Sequence, residues 1–150
     1  LMVCLGNICR SPLAEGIMQK HLEKSNIIGH VDSAGVLSFH EGDPPQPGSI
    51  RVAANHGLNI SRQKSRPFVI EDFEKFDLIF TMDQSVHEQI SSLTMNPDYL
   101  SRTHLLLEFA DHAELRNVPD PYRMSDDVFE NVYQLIDDAC GVIVSKIKTT

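Results

Sequence analysis

Apolar residues along the chain fall into two kinds of pattern. Short runs stand at 1–3, 30–36, 77–82 and 103–109, and each is too brief for a helix of ordinary length. Elsewhere apolar side chains recur every three or four residues. Leu13, Ile17, Met18 and Leu22 predict an amphipathic helix from residue 12 to about 24, with Ser11 as its N-cap and Pro12 at the first helical position. A second helix is expected from 49 to about 56, stopped by Gly57, and a third from the cap residue Asp83 to about residue 93. Val128, Val132, Leu135, Ile136, Ala139 and Val142 define the apolar face of a long closing helix over 125–148. Residues 38–48, rich in glycine and proline, and 111–124 read as loops.

Strand and helix thus alternate four times, and the strands are apolar runs rather than half-polar ones. Such strands are buried on both faces, so the expected fold is α/β: a four-stranded parallel sheet with helices on both faces. Ligands of such sheets sit at the carboxyl ends of the strands. That rule directs attention to the segment after the first strand, Cys4-Leu5-Gly6-Asn7-Ile8-Cys9-Arg10-Ser11-Pro12.

A thiolate at Cys4 is a nucleophile. Six residues on, Arg10 offers a planar fork of donors matched to phosphate oxygens. The small residues between them, Gly6 among them, let the loop curl so that backbone N–H groups face an anion. The helix N-terminus that follows adds its dipole, which also favours the thiolate over the thiol. Asn7 suits a left-handed position in such a loop, and Ser11 can give Cys4 a hydroxyl hydrogen bond. Attack on a phosphate ester also requires a proton for the leaving oxygen. The best-placed acid is Asp120, stiffened by the flanking Pro119 and Pro121.

Composition narrows the partners. With 150 residues, the chain has the size of one domain, and a few residues are expected ahead of Leu1 because it opens inside a strand without an initiator Met. The net charge of −8 argues against nucleic acid as a partner, though not against a phosphorylated one held by local donors. Arg62, Lys64 and Arg66 form a small basic cluster that reads as a solvated loop. No run approaches the roughly 18 apolar residues of a membrane span, and no signal-peptide pattern precedes the first motif, so no membrane insertion is expected. Three cysteines without a secretory signal suggest a reducing, cytoplasmic setting. The seven histidines show no metal-ligand spacing, so neither a metal nor another cofactor is expected. His40, His56 and His104 read as structural or solvated, and Cys140 as a core residue.

The segment from Val3 through Pro12, followed in order by Asp32-Ser33, Thr81-Met82-Asp83 and Asp120-Pro121-Tyr122, resembles the low-molecular-weight protein tyrosine phosphatases over essentially the whole chain. The resemblance implies Cys4 as nucleophile, Arg10 as phosphate clamp and Asp120 as general acid and base, with phosphotyrosine-containing proteins as partners and a monomer or weak dimer. It implies that Asn7, Ser11 and Ser33 support the loop. Cys9 matches a second loop cysteine able to form a reversible disulfide with Cys4, and Leu5 and Ile8 touch the substrate ring. Tyr122 matches one aromatic wall of the pocket and Phe39 the other, where Trp or Tyr is more usual. Gln46 and Gly48 depart from the Asp and Arg of many relatives at the rim, and Arg62 stands where mammalian members have a supporting histidine. Two alternatives remain: a thiol-dependent arsenate reductase, which needs relay cysteines, and a phosphotyrosine-binding module, which normally lacks the nucleophile or acid.

Overall fold

A computed structural model describes residues 1–149. Four parallel strands of three residues each, β1 (Met2–Cys4), β2 (Ser33–Gly35), β3 (Ile79–Thr81) and β4 (Thr103–Leu105), are ordered β2-β1-β3-β4. The register pairs Val3 with Ala34 and with Thr81, and Phe80 with His104. Because successive strand residues point to opposite faces, β1 divides its side chains between two cores. Met2 and Cys4 join one apolar cluster, while Val3 joins the other.

On the first face lie α1 (Arg10–Lys24), α2 (Pro47–Asn55) and α7 (Asp126–Lys148). Leu13, Ile17, Val52, Tyr133, Ile136 and Ile143 fill the space between these helices and the sheet. The other face is covered by Phe73 of α3 (Asp72–Lys75) and by Val86 and Ile90 of α4 (Gln84–Ser91). The α/β architecture expected from the apolar runs is therefore present.

Several boundaries differ, each for a local reason. Residues 30–32 are not strand; β2 begins at Ser33, where pairing with Met2 starts. Ser11 is not an N-cap, because α1 already begins at Arg10 and Ser11 turns inward with no exposed surface. Helix α2 begins at Pro47, whose missing N–H costs nothing in a first turn. The chain after β4 turns directly into α6 (Leu106–Phe109) rather than continuing as strand. Helix α5 (Pro97–Ser101) was also unforeseen, although Asn96 caps it and Pro97 opens it. On α7, Val142 is exposed and Ile143 and Val144 take the buried face.

Other expectations match. Asp83 caps α4, its Oδ1 accepting the Val86 N–H at 2.9 Å. Gly57 ends α2 with φ 79°, and Leu58 N–H closes back on Ala53 O at 2.8 Å. Among the described residues no helix is long and apolar enough to cross a membrane.

Candidate active site

The carboxyl end of β1 opens into a loop that closes at Arg10, the first residue of α1. The loop's carbonyls are tied outwards by the surrounding chain. Leu5 O accepts from Leu37 N–H at 2.9 Å, Ile8 O from Gln46 N–H at 2.7 Å, Gly6 O from the Ser65 hydroxyl at 3.0 Å, and Cys9 O from the Ser49 hydroxyl at 3.1 Å. With its carbonyls held outside, the loop turns N–H groups towards its centre; that of Asn7 lies 3.3 Å from Cys4 Sγ. Cys9, at the N-cap of α1, makes no side-chain capping bond, so the helix N-terminus adds uncapped donors to the same hollow. The arrangement is a cradle for an anion with a sulfur at its floor.

Asn7 holds that shape. Its φ of 58° is the left-handed conformation its residue type tolerates. Its Oδ1 accepts the Arg66 N–H at 3.0 Å, which fixes the amide so that Nδ2 faces Ser11 Oγ at 2.8 Å and Ser33 Oγ at 2.9 Å. Ser11 Oγ therefore accepts from Asn7, and its single hydrogen is left for Cys4 Sγ, 3.0 Å away. Gly35 lets β2 come this close, since a Cβ there would stand 2.9 Å from the Gly6 carbonyl carbon and 3.0 Å from Asn7 N.

Arg10 is 3% exposed and paired. Its Nη1 donates to Asp83 Oδ2 at 2.6 Å and to Val118 O at 3.1 Å, and Nη2 lies 3.8 Å from Asp120 Oδ2. Burial works against its charge, yet Cys4, Asp83 and Asp120 together raise its pKa above the ordinary arginine value. Asp120 is half-exposed at the mouth, with Oδ1 accepting the Tyr122 N–H at 3.1 Å in a tight turn between two prolines. Cys9 also lines the hollow, but burial first, then Asp120 and Cys4, push its thiol up to about 12, so at neutral pH it stays protonated. Cys140 lies fully buried on α7.

The hollow is lined by Cys4, Leu5, Gly6, Ile8, Cys9, Arg10, Leu37, His40, Asp120 and Tyr122. Ser11 and Ser33 stand behind it, buried at 0% and 4% exposure. Phe39 is not among the lining residues: it is 86% exposed and meets the His40 ring edge-on at 4.9 Å. His40, set aside in the sequence, is the ring that faces the hollow, with Nδ1 3.1 Å from Asp43 Oδ2. A Cβ on Gly6 would come within 3.2 Å of His40 Cδ2, so the absence of a side chain at Gly6 is what lets this ring close in. Tyr122 also lines the hollow and carries Arg123 over its ring at 5.2 Å.

The supporting residues also differ from expectation. Arg62 is exposed, and Gln63 reaches the loop's neighbourhood instead, donating to Pro12 O at 3.1 Å. Arg66 is no solvated loop residue. Its guanidinium binds Asp32 at 3.0 Å and the buried Asp72 at 3.0 Å while its N–H holds Asn7. Gln46 donates its N–H to Ile8 O, and Gly48 lies buried under the Phe129 ring rather than at the rim. Asp83, Ser65 and Arg66 were missed as loop partners because each arrives from a distant part of the chain. Only the helix-cap signal at Asp83 hinted at a fixed carboxylate. Among the described residues no group of three or more His, Cys, Asp or Glu side chains is placed to hold a metal ion.

Known proteins resemble this chain over nearly its whole length. The sequence model of the family described as low molecular weight phosphotyrosine protein phosphatase matches residues 1–150. The chain is 36% identical over 152 residues to the low molecular weight protein-tyrosine-phosphatase YfkJ of Bacillus subtilis, covering 99% of this chain and 94% of that protein. Its structure is similar to that of a protein tyrosine phosphatase from Entamoeba histolytica, with a TM-score of 0.92, 33% identity, and 99% and 95% of the two chains covered. It is also similar to Vibrio vulnificus Wzb, solved in complex with benzylphosphonate, with a TM-score of 0.83, 31% identity, and 97% and 95% covered.

Proposed function

The chain belongs to the low molecular weight phosphotyrosine protein phosphatase family and is a protein-tyrosine phosphatase, and from that premise we propose which of its residues perform the hydrolysis. The phosphate of a phosphotyrosine side chain enters the loop, its oxygens taken by the inward N–H groups and by Arg10. The Cys4 thiolate, supported by the Asn7 N–H and the Ser11 hydroxyl, attacks phosphorus. The S–P bond forms as the bond to the phenolic oxygen breaks, and Asp120 gives its proton to that oxygen. In the second half a water attacks the cysteinyl phosphate, Asp120 takes the water's proton, and the S–P bond breaks to return the thiolate and free phosphate.

The observation that carries this reading is the juxtaposition of Cys4, Arg10 and Asp120 in one hollow. Asp120 Oδ2 lies 3.8 Å from the same guanidinium whose other nitrogen is anchored by Asp83. Acid and clamp thus converge over the nucleophile although more than a hundred residues of chain separate them. The benzylphosphonate bound by the similar Vibrio protein is an aryl-methyl phosphonate, and a hollow lined by the rings of His40 and Tyr122 beside Leu5 and Ile8 suits a flat ring of that kind. Phe39 stands outside that lining.

Kinetics on an aryl phosphate test the assignment. Cys4→Ser is expected to abolish turnover while inorganic phosphate still binds. Asp120→Ala is expected to lower kcat by about 10²- to 10⁴-fold, the usual contribution of a positioned acid, with little change in phosphate affinity. A Cys4→Ser protein that still turns over substrate sinks the proposal.

A further inference from the structure

The chain of hydrogen bonds that begins at Cys4 does not stop at Ser33. The Ser33 hydroxyl accepts from Asn7 Nδ2, so its own hydrogen points onward, to Glu15 Oε1 at 2.7 Å. Four links therefore join the thiol to a carboxyl group on α1: Cys4 to Ser11, Ser11 to Asn7, Asn7 to Ser33, and Ser33 to Glu15. Every donor direction in this line follows from the Asn7 amide, which Arg66 N–H orients.

We propose that Glu15 is a positioning residue for Cys4, an ionisable group behind the phosphate loop whose charge tightens or slackens the hydrogen bonds that hold Asn7 and Ser11. The proposal rests on Cys4 being the nucleophile. The surroundings of Glu15 fit a group that exchanges its proton near neutrality. Its carboxyl is pushed up to about 7, chiefly by burial and further by Asp32, against the lowering effect of the Ser33 hydroxyl and Arg66. Asp32 reaches it from the segment before β2 and Arg66 from the loop before α3, but Arg66 is already bound to Asp32 and Asp72. Lys20 and Glu23 of α1, with Arg62 and Gln63, line the hollow beside it. Among the described residues Glu15 makes no ion pair, whereas Arg10, which closes the loop, pairs with Asp83 and lies 3.8 Å from Asp120.

Ionised, Glu15 receives a charge-assisted hydrogen bond from Ser33; protonated, it offers only a neutral acceptor, about half as strong. Asn7 keeps its left-handed backbone because bonds on both sides of its amide hold it there. Weakening the Ser33 anchor frees Asn7, and with it the Ser11 hydroxyl that faces the thiolate.

Two measurements decide the matter. Carbon-13 NMR of the wild-type carboxyls is expected to show Glu15 titrating near 7, with the Asn7 and Ser33 amide resonances moving at the same midpoint. Alkylation of Cys4 by iodoacetamide across pH 5.5 to 9 is expected to show an extra step of about fivefold near neutrality. Glu15→Gln loses the step and stays at the low-pH level, and Glu15→Asp retains a step. Superimposable profiles for wild type and Glu15→Gln overturn the proposal, as does a Glu15 titration that leaves the Asn7 and Ser33 amides still. If Glu15→Gln does not fold, the wild-type NMR titration decides alone. Peptide mapping keeps the underlying assignment separate: label on a thiol other than Cys4 refutes the nucleophile, while the coupling of Glu15 to Asn7 is read independently of it.

Discussion

Asn7 carries more of the site than any other side chain that does no chemistry. It commits both amide hydrogens and its Oδ1 to Ser11, Ser33 and Arg66 from a backbone angle that most residues avoid. Asn7→Ala removes three bonds and imposes about 1–2 kcal/mol of left-handed strain, so kcat is expected to fall at least tenfold and the urea midpoint to drop with it. The aromatic lining of the hollow makes a second test at this scale. Because His40 rather than Phe39 faces the hollow, His40→Ala is expected to raise KM for a small aryl phosphate several-fold, while Phe39→Ala leaves it nearly unchanged. The reverse order restores Phe39 as the wall. Cys4, Asn7, Arg10, Ser11 and Asp120 stood out in the sequence because a thiol, a fork of donors, a left-handed residue and a proline-stiffened acid have recognisable local chemistry. His40 did not, because a histidine in a loop has many uses, and only the bare Cα of Gly6 facing it selects this one.

At the scale of elements, single residues join two structures at once. Asp83 caps α4 through Oδ1 and holds Arg10 through Oδ2, so a helix end and the buried guanidinium proposed to bind phosphate share a carboxylate. Asp83→Asn keeps a good cap and neutralises the partner of Arg10. It is expected to raise the inhibition constant of inorganic phosphate several-fold with little loss of stability, whereas Asp83→Ala costs about 1 kcal/mol more in unfolding free energy. Equal destabilisation by both variants contradicts this division of labour. Helices α2 and α7 meet at Gly48, where a Cβ would stand 2.5 Å from the Phe129 ring. Gly48→Ala is therefore expected to destabilise by about 1–3 kcal/mol in a denaturant titration, through overpacking rather than through loss of the site. The periodic apolar positions revealed which segments are helices, since burial on one face imposes a 3.6-residue repeat. They did not reveal α3 or α5, which are too short to show a repeat.

The whole molecule couples folding to pH through buried titrating groups. The Glu15 carboxyl titrates at about 7 in the native protein and near its ordinary 4.5 when unfolded. Between those values the native state binds a proton that the unfolded chain has lost, so this group's contribution to stability falls as pH rises from about 4.5 to 7. His87 and His104 act in the opposite sense. Burial lowers both below 6.5, so they cost stability as pH falls through that value. Urea titrations of wild type and Glu15→Gln across pH 4.5 to 8 are expected to show the variant gaining on wild type up to about pH 7 and then holding level. A difference that does not vary with pH contradicts the native value assigned to Glu15.

By itself the sequence determined the chemistry and the layer architecture. The proposed nucleophile Cys4, the proposed clamp Arg10 and the helix start lie within nine consecutive residues, and apolar runs alternating with helical repeats admit few topologies. Tertiary structure alone decided what surrounds that loop. Arg66, Asp83, Glu15, Ser65 and His40 become its partners only once parallel pairing brings the ends of β1, β2 and β3 side by side. The physical reason is distance along the chain. A hydrogen bond acts over about 3 Å of space, whereas sequence patterns report only neighbours within a turn or two, so contacts made across the sheet leave no local trace.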